Sequence, residues 1–272
     1  MTQPVESFIE TNAGRFRSLQ WGPAGGETVL FLHGLTAVAE VWGPAVANLS
    51  AGRNYVAVDQ RGHGDSPHEG PYHVGRLVQD TRTIIKTLGG PVHLVGHSMG
   101  ARVAIVLAAR SPELLRSVAI VDIGVEASQK NIKETTEAIE QMPGSFANDE
   151  EAYAFAFRRR APDDVAKAVF RARLKSANGR LVWRGSPEAM VSIVRSHRSR
   201  SYWKEWQAIS IPSLYVRGAR SNEVSAAIYE KMRSVNPGVR YVELEGIPHN
   251  VPLIAPERLA GELETLWAGV PN

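Results

Sequence analysis

The chain has 272 residues, 43% of them hydrophobic, which is enough for one large domain with a sizeable core. It contains no cysteine, so disulfides, thiol nucleophiles and zinc–thiolate sites are excluded. The formal net charge of +3 is spread among many acidic residues, and no run of about 18 uncharged apolar residues occurs, so neither a nucleic acid nor a membrane is indicated as a partner.

The first 14 residues lack the basic start and apolar run of a signal peptide. We therefore expect a soluble, cytoplasmic, unprocessed protein. Its expected partner is a small-molecule substrate, and the expected oligomeric state is a monomer or a homodimer. No residue pattern indicates a metal or an organic cofactor, and we expect none.

Short apolar runs rich in β-branched residues alternate with amphipathic segments of helical length, which is typical of parallel strands joined by helices. An antiparallel hairpin is predicted at 7–10 and 16–21. Further strands are predicted at 28–32, 54–58, 92–95, 117–121, 213–216 and 239–244. The pattern predicts an α/β fold with a mostly parallel, doubly wound sheet.

Between residues 124 and 211 no comparable buried strand is evident, and the segment shows helical patterns interrupted by prolines. We therefore predict a core formed by residues 1–124 and 208–272 and a helical cap formed by residues 125–207.

A turn, His33-Gly34-Leu35, follows the strand predicted at 28–32. Its glycine relaxes the backbone where N–H donors for a developing oxyanion are needed, and Leu35 and Met99 are the predicted donors. His33 is expected to hold this turn by hydrogen bonding and is also a candidate for substrate contact. The loop at 59–66, with Asp59 and Arg61, is interpreted as a structural network.

The sequence Gly96-His97-Ser98-Met99-Gly100 lies between the strand predicted at 92–95 and an alanine-rich helical run. This is G-x-S-x-G in the strand–turn–helix setting that presents a nucleophilic serine, and the glycines relieve crowding in a tight turn. Ser98 is therefore the predicted nucleophile. The alternative is a glycine-rich turn that only packs a helix on the sheet. His97 is interpreted as structural.

Asp122 ends the strand predicted at 117–121, 24 residues after Ser98, where a carboxylate can orient a catalytic histidine. The strand predicted at 213–216 is followed by Arg217-Gly218-Ala219-Arg220-Ser221, with serine at the position where this type of fold most often has aspartate. On spacing alone Asp122 is favoured as the acid, and Glu223 remains the alternative. The competing interpretation is that Asp122 only caps the start of the segment that follows the strand.

The predicted cap is rich in arginine and aromatic residues. Arg158 and Arg159 are candidates for binding a substrate carboxylate, because the planar guanidinium suits bidentate contact. The competing interpretation is that a run of arginines mostly faces solvent. Trp183 and Trp203 are candidates for the pocket wall, and the cap interior is the alternative for both.

His249 follows the last predicted strand and precedes a C-terminal helix. A histidine on that loop can reach the carboxyl edge of the sheet, and its near-neutral pKa suits proton uptake and return. The chain order Ser98, Asp122, His249 is the order expected of a serine–acid–histidine set in an α/β fold.

Four motifs in order, H-G, D-x-R-G-H-G-x-S, G-H-S-M-G and P-H-N-V-P, resemble those of the α/β-hydrolase superfamily over essentially the whole chain outside the cap. The V-D-I-G segment combined with R-G-A-R-S resembles the subgroup that includes 2-(acetamidomethylene)succinate hydrolase and related carboxylesterases. In that subgroup the acid follows the sixth core strand, so the resemblance supports Asp122.

The predicted function is hydrolysis of a small carboxylic ester, or of an amide or lactone, through an acyl-enzyme. One alternative is a carbon–carbon bond hydrolase of diketone-type substrates, which would use the same three residues. Another is a ligand-binding protein that keeps the fold without turnover.

Overall fold

The computed structural model describes residues 3–158 and 161–270. The strands in these residues are β1 (Val5–Thr11), β2 (Gly14–Trp21), β3 (Thr28–Leu32), β4 (Asn54–Val58), β5 (Val92–His97), β6 (Leu115–Val121), β7 (Ser145–Phe146), β8 (Leu174–Ala177), β9 (Arg180–Trp183), β10 (Ser213–Gly218) and β11 (Arg240–Leu244). The helices are α1 (Gly43–Val46), α2 (Val74–Thr87), α3 (Met99–Arg110), α4 (Gln129–Glu140), α5 (Asp149–Ala156), α6 (Asp164–Arg171), α7 (Pro187–Arg198), α8 (Trp203–Gln207), α9 (Ala226–Val235), α10 (Val251–Ile254) and α11 (Pro256–Ala268).

The main sheet has eight strands within the described residues, in the order β1-β2-β4-β3-β5-β6-β10-β11. The pairs β1/β2 and β2/β4 are antiparallel, and the remaining neighbours are parallel. Each strand predicted from the apolar runs corresponds to a strand of this sheet. The predicted α/β fold with a mostly parallel sheet is therefore confirmed.

Helices cover both faces of the sheet, which explains why its central strands are apolar on both sides. Helices α2, α3, α8 and α9 contribute to the core cluster on one face, and α1 and α11 to the cluster on the other. All six residues of β5 are buried. No helix in the described part of the chain is long and apolar enough to span a membrane.

The segment between β6 and β10 is not purely helical, so the prediction of a helical cap needs correction. Besides α4 to α7 it contains a three-stranded antiparallel sheet in the order β7-β9-β8. The strands β8 and β9 are joined by Asn178-Gly179, both with positive φ (50° and 74°). Asn-Gly is the preferred pair for a two-residue hairpin turn. These strands have four residues or fewer, which is too short for their alternation to stand out.

The predicted cap boundary at residue 207 also needs correction. Tyr202 and Trp206 are fully buried in the main core cluster together with Tyr215 of β10. The Trp206 indole N–H donates to the Met232 carbonyl oxygen of α9 at 2.9 Å. Helix α8 therefore packs with the α/β core and not with the small sheet of the inserted segment, because these aromatic side chains complete the core interior.

Candidate active site

The turn between β5 and α3 holds Ser98 in a strained backbone conformation, with φ 54° and ψ −113°. A Cβ atom on Gly96 would lie 2.5 Å from the Gly100 carbonyl oxygen, and one on Gly100 would lie 2.4 Å from the Leu32 carbonyl oxygen. Only glycine fits at either position, because the turn brings backbone against backbone. Ser98 therefore stands in a strained conformation at the helix N-terminus and the carboxyl edge of the sheet. Strained backbone conformations cluster at functional sites, which makes this turn a candidate site.

Ser98, His249 and Asp122 form a continuous hydrogen-bonded chain. The His249 Nε2 atom lies 3.1 Å from the Ser98 hydroxyl oxygen, and its Nδ1 atom lies 2.6 Å from Asp122 Oδ2. Asp122 is fully buried, whereas the His249 side chain is 28% exposed. In this geometry the imidazole can accept the serine proton while the carboxylate orients the ring and stabilises its charged form.

The Asp122 carboxylate has two further donors. Its Oδ1 atom accepts from the Gly218 N–H at 2.8 Å, and its Oδ2 atom accepts from the Ser221 hydroxyl. Ser221 occupies the position after β10 where sequence reasoning looked for an aspartate, and its part in holding Asp122 was missed. The sequence carried a signal for this role, because Ser221 follows β10 and Asp122 follows β6, and these two strands are neighbours in the sheet.

Glu223, the alternative acid, lies elsewhere. Its Oε2 atom is 3.1 Å from Arg198 Nη2, an ion pair between the loop after β10 and helix α7. The structure therefore brings Asp122, and not Glu223, to His249.

The loop that carries His249 is anchored by the end of β10 and by His97. The Arg220 N–H donates to the Ile247 carbonyl oxygen at 2.9 Å. The His97 Nε2–H donates to the His249 carbonyl oxygen, also at 2.9 Å, and burial lowers the pKa of His97 to about 3. A neutral His97 is suited to this role, because it adds no charge beside the His249 ring 4.8 Å away.

Leu35 and Met99, the predicted oxyanion donors, lie beside Ser98 in the same wall of a small cavity. Met99 is the first residue of α3, so its N–H precedes the helical hydrogen-bond ladder. Among the described residues the Leu35 N–H has no acceptor. Both residues therefore adjoin the serine, and the role of their N–H groups as oxyanion donors stays a prediction.

His33 holds the turn at residues 33–35 in place. Its Nε2 atom accepts from the Gln60 N–H at 2.9 Å, so its Nδ1 atom carries the proton that is donated to the Gly34 carbonyl oxygen at 2.7 Å. Burial lowers the pKa of His33 to about 4, which keeps the ring neutral. His33 is fully buried outside the lining of the main cavity, so its position gives no support to substrate contact.

A cavity of about 560 Å³ opens between Ser98 and the inserted segment. Ser98 and His249 belong to its wall, and Trp183 lines it from β9. The Trp183 indole N–H donates to the Pro143 carbonyl oxygen at 2.7 Å, which fixes the ring within the aromatic cluster of the insertion. The volume is in the range of small-molecule sites.

Two other cap residues proposed from the sequence are not among those that line this cavity. Arg158 is exposed and stacks over the Phe155 ring at 4.9 Å. Trp203 donates to a Glu126 carboxylate oxygen at 2.8 Å and lies beneath the Lys231 ammonium, outside the lining. Their expected contact with substrate is not supported by these positions. Arg159 lies outside the described residues.

Two arginines that sequence reasoning did not select line the cavity, namely Arg173 and Arg198. Arg173 lies between α6 and β8, and Arg198 ends α7. No local motif distinguishes either from the other arginines of the insertion, so only the tertiary structure identifies them.

The glycine-rich loop at 59–66 forms the structural network expected of it. Asp59 is buried, pairs with Arg17 at 3.1 Å and accepts from the Ala39 N–H at 2.8 Å. Asp65 pairs with Arg184 of the inserted segment at 2.7 Å, so the network also ties the insertion to the core. Within residues 3–158 and 161–270 no group of three or more His, Asp or Glu side chains is arranged to hold a metal ion.

Comparisons with known proteins agree with this architecture. A family model described as the alpha/beta hydrolase family matches residues 29–262. The chain is 31% identical over 242 residues to 2-(acetamidomethylene)succinate hydrolase of Mesorhizobium japonicum, covering 85% of this chain and 84% of that protein. It is 28% identical over 279 residues to an esterase of Mycobacterium tuberculosis, covering 96% and 91%.

The fold agrees more closely than the sequence. A crystal structure of E-2-(acetamidomethylene)succinate hydrolase superposes with a TM-score of 0.92 at 27% identity, covering 98% of this chain and 100% of that one. The similarity therefore includes the inserted segment as well as the sheet.

Proposed function

This chain belongs to the α/β-hydrolase family, and from that premise we propose that it is a serine hydrolase that cleaves small carboxylic esters through an acyl-enzyme. The observation that carries the proposal is the hydrogen-bonded chain from Asp122 through His249 to Ser98 at the wall of the cavity. Amides and lactones present the same carbonyl chemistry and belong to the proposed range.

In the proposed mechanism the Ser98 oxygen attacks the substrate carbonyl carbon while His249 Nε2 takes its proton. The Leu35 and Met99 N–H groups stabilise the negative charge that develops on the carbonyl oxygen. His249 then returns the proton to the leaving group. Water, activated by the same histidine, attacks the acyl-enzyme and releases the acid and free Ser98.

The fixed orientation of the acid supports this assignment. Asp122 receives donors from His249, Gly218 and Ser221, so its carboxylate cannot rotate away from the imidazole without losing hydrogen bonds. Proton shuttling requires that the imidazole of His249 be held in one tautomer. In serine proteases, replacing the acid by an amide gives the wrong tautomer and lowers kcat about 10⁴-fold.

The test is the release of p-nitrophenol from its acetyl and butyryl esters by the wild type and by Ser98→Ala and Asp122→Asn. Ser98→Ala is expected to abolish the burst and the steady-state rate, and Asp122→Asn to lower kcat by several orders of magnitude. The control is Glu230→Gln on the exposed face of α9, which is expected to keep the wild-type rate.

Wild-type turnover that survives in Ser98→Ala would contradict the proposal. So would an inert wild type that also fails to react with an active-site phosphonate. Thermal unfolding of each variant shows whether any loss of rate comes from loss of the fold.

A further inference from the structure

The charged groups in the wall of the main cavity include two cations and one carboxylate, so positive charge exceeds negative charge. The wall contains the guanidinium groups of Arg173 and Arg198 and the carboxylate of Glu223. Glu223 pairs with Arg198 through two oxygens, at 3.1 and 3.2 Å from Nη2, and His249 is held by Asp122. Arg173 forms no ion pair with any residue in 3–158 or 161–270, so one positive charge faces the cavity uncompensated.

Arg173 is held in place without a polar partner. Its guanidinium lies over the Phe170 ring at 5.6 Å, and its Nε atom is buried with no hydrogen-bond acceptor among the described residues. Burial lowers the pKa of Arg173 to about 10, so the side chain remains charged at neutral pH. Arg173 and Ser98 both line the main cavity, so the cation and the proposed nucleophile face the same space.

An uncompensated guanidinium in such a site is costly without a counter-charge. Apolar side chains form part of the cavity wall around it, namely Leu35, Ile139, Met142, Phe157, Phe170 and Trp183. Water can solvate the cation while the cavity is empty, but a substrate that fills the cavity displaces that water. A bound substrate must then supply the acceptor itself.

We propose that Arg173 binds a carboxylate carried by the substrate, so that the substrates are small esters or amides with a free carboxylate group. This inference rests on the proposed function and names the substrate class of the same site. The planar guanidinium offers two parallel N–H donors to a carboxylate, which a neutral ester group cannot match in strength.

Arg158 provides a matched comparison within the same segment. Both arginines stack over a phenylalanine ring, at 4.9 Å for Arg158 and 5.6 Å for Arg173. Arg158 is exposed to solvent, whereas Arg173 lines the cavity. Replacing each in turn therefore separates a charge in the cavity from a charge on the surface.

The kinetic test uses two pairs of probes that differ in charge. Monomethyl and dimethyl glutarate place the carboxylate on the acyl side, and 4-acetoxybenzoate and 4-acetoxybenzamide place it on the leaving group. Each rate is divided by the rate of hydroxide-catalysed hydrolysis. We expect the wild type to favour the anionic member of at least one pair by about 10- to 100-fold in kcat/KM, the range of a charge-assisted hydrogen bond.

Arg173→Gln is expected to bring that ratio close to one, and Arg173→Lys to keep part of it. Arg158→Gln is expected to keep the wild-type ratio. A ratio that is unchanged in Arg173→Gln, or a wild type that favours neither anionic probe, overturns the inference. Thermal unfolding of the variants confirms that they fold.

Binding distinguishes this inference from the proposed function. In the Ser98→Ala background, calorimetry with the anionic probe is expected to give a Kd that rises about 10- to 100-fold when Arg173→Gln is added. A chain that binds this way without hydrolysing the probe keeps the inference and loses the proposed function. A chain that hydrolyses both members equally, with equal Kd values, keeps the proposed function and loses the inference.

Discussion

Ser221 shows how one hydroxyl can support a carboxylate that comes from a different strand. It follows β10 and donates to Asp122 Oδ2, the same oxygen that faces His249 Nδ1. Its oxygen also accepts from the Glu223 N–H at 3.2 Å, which fixes the hydroxyl. Ser221 is therefore a positioning residue that acts through Asp122.

Removing this hydroxyl is expected to slow turnover. Ser221→Ala should lower kcat about tenfold with little change in KM, because Asp122 would hold His249 less firmly. Ser221→Thr, which keeps the hydroxyl, should restore most of the rate. Ser225→Ala, which removes the N-cap of α9, should lower the melting temperature without the loss in kcat. A wild-type kcat in Ser221→Ala would show that Gly218 and His249 suffice to hold the acid.

At the residue scale, sequence reasoning is effective where a residue is tied to a motif or a strand end. Ser98, Asp122 and His249 were selected in this way, and the structure brings them together. Arg173 could not be selected, because its distinguishing feature is that it has no acidic partner among the described residues, and that depends on the packing of segments distant in sequence.

At the scale of elements, two helical glycines have opposite characters, and only Gly100 is required for the close contact of α3 with β3. Gly100 lies in the first turn of α3, where a Cβ atom would meet the Leu32 backbone at 2.4 Å. Gly261 lies in the interior of α11, where a Cβ atom would meet nothing within 4 Å.

Alanine at these two positions should therefore have opposite effects. Gly100→Ala is expected to lower the free energy of unfolding by about 2–3 kcal/mol, because α3 must move away from the sheet. Gly261→Ala is expected to raise it by about 0.5–1 kcal/mol, because alanine is the better helix former. Urea unfolding measures both, and a Gly100→Ala protein as stable as the wild type would contradict the close approach of α3 to β3.

The central parallel strands of the core were predictable because they contain short apolar runs between turns, as in β3, β4 and β5. The small sheet of the insertion was not, although Asn178-Gly179 is a strong hairpin signal. Its strands are short, and only Phe146, Leu174 and Leu181 among their residues are both apolar and buried. Periodicity has too few residues there to distinguish strand from helix.

For the molecule as a whole, buried histidines make stability depend on pH. Burial lowers the pKa of His33 to about 4 and the pKa values of His63, His97 and His197 to about 3. In the unfolded chain a histidine titrates near 6.5, so below that pH the unfolded state binds more protons than the native state.

The free energy of unfolding should therefore fall as the pH is lowered from 6.5 to 5, by roughly 1.5 kcal/mol for each of the four histidines. Denaturant unfolding at several pH values measures this slope. Both ring nitrogens of His197 lack hydrogen-bond partners among the described residues. His197→Leu should therefore reduce the slope, and a flat profile in the wild type would show that these rings are protonated in the native state.

The most direct measurement is the site of covalent modification by a fluorophosphonate, found by intact-mass analysis followed by peptide mapping. The account predicts a single adduct on Ser98 in the wild type, none in Ser98→Ala, and much slower labelling in Asp122→Asn. Such a reagent reports the activated serine itself, independently of which ester is the natural substrate. A wild type that forms no adduct, or an adduct on another residue that persists in Ser98→Ala, would contradict Ser98 as the nucleophile.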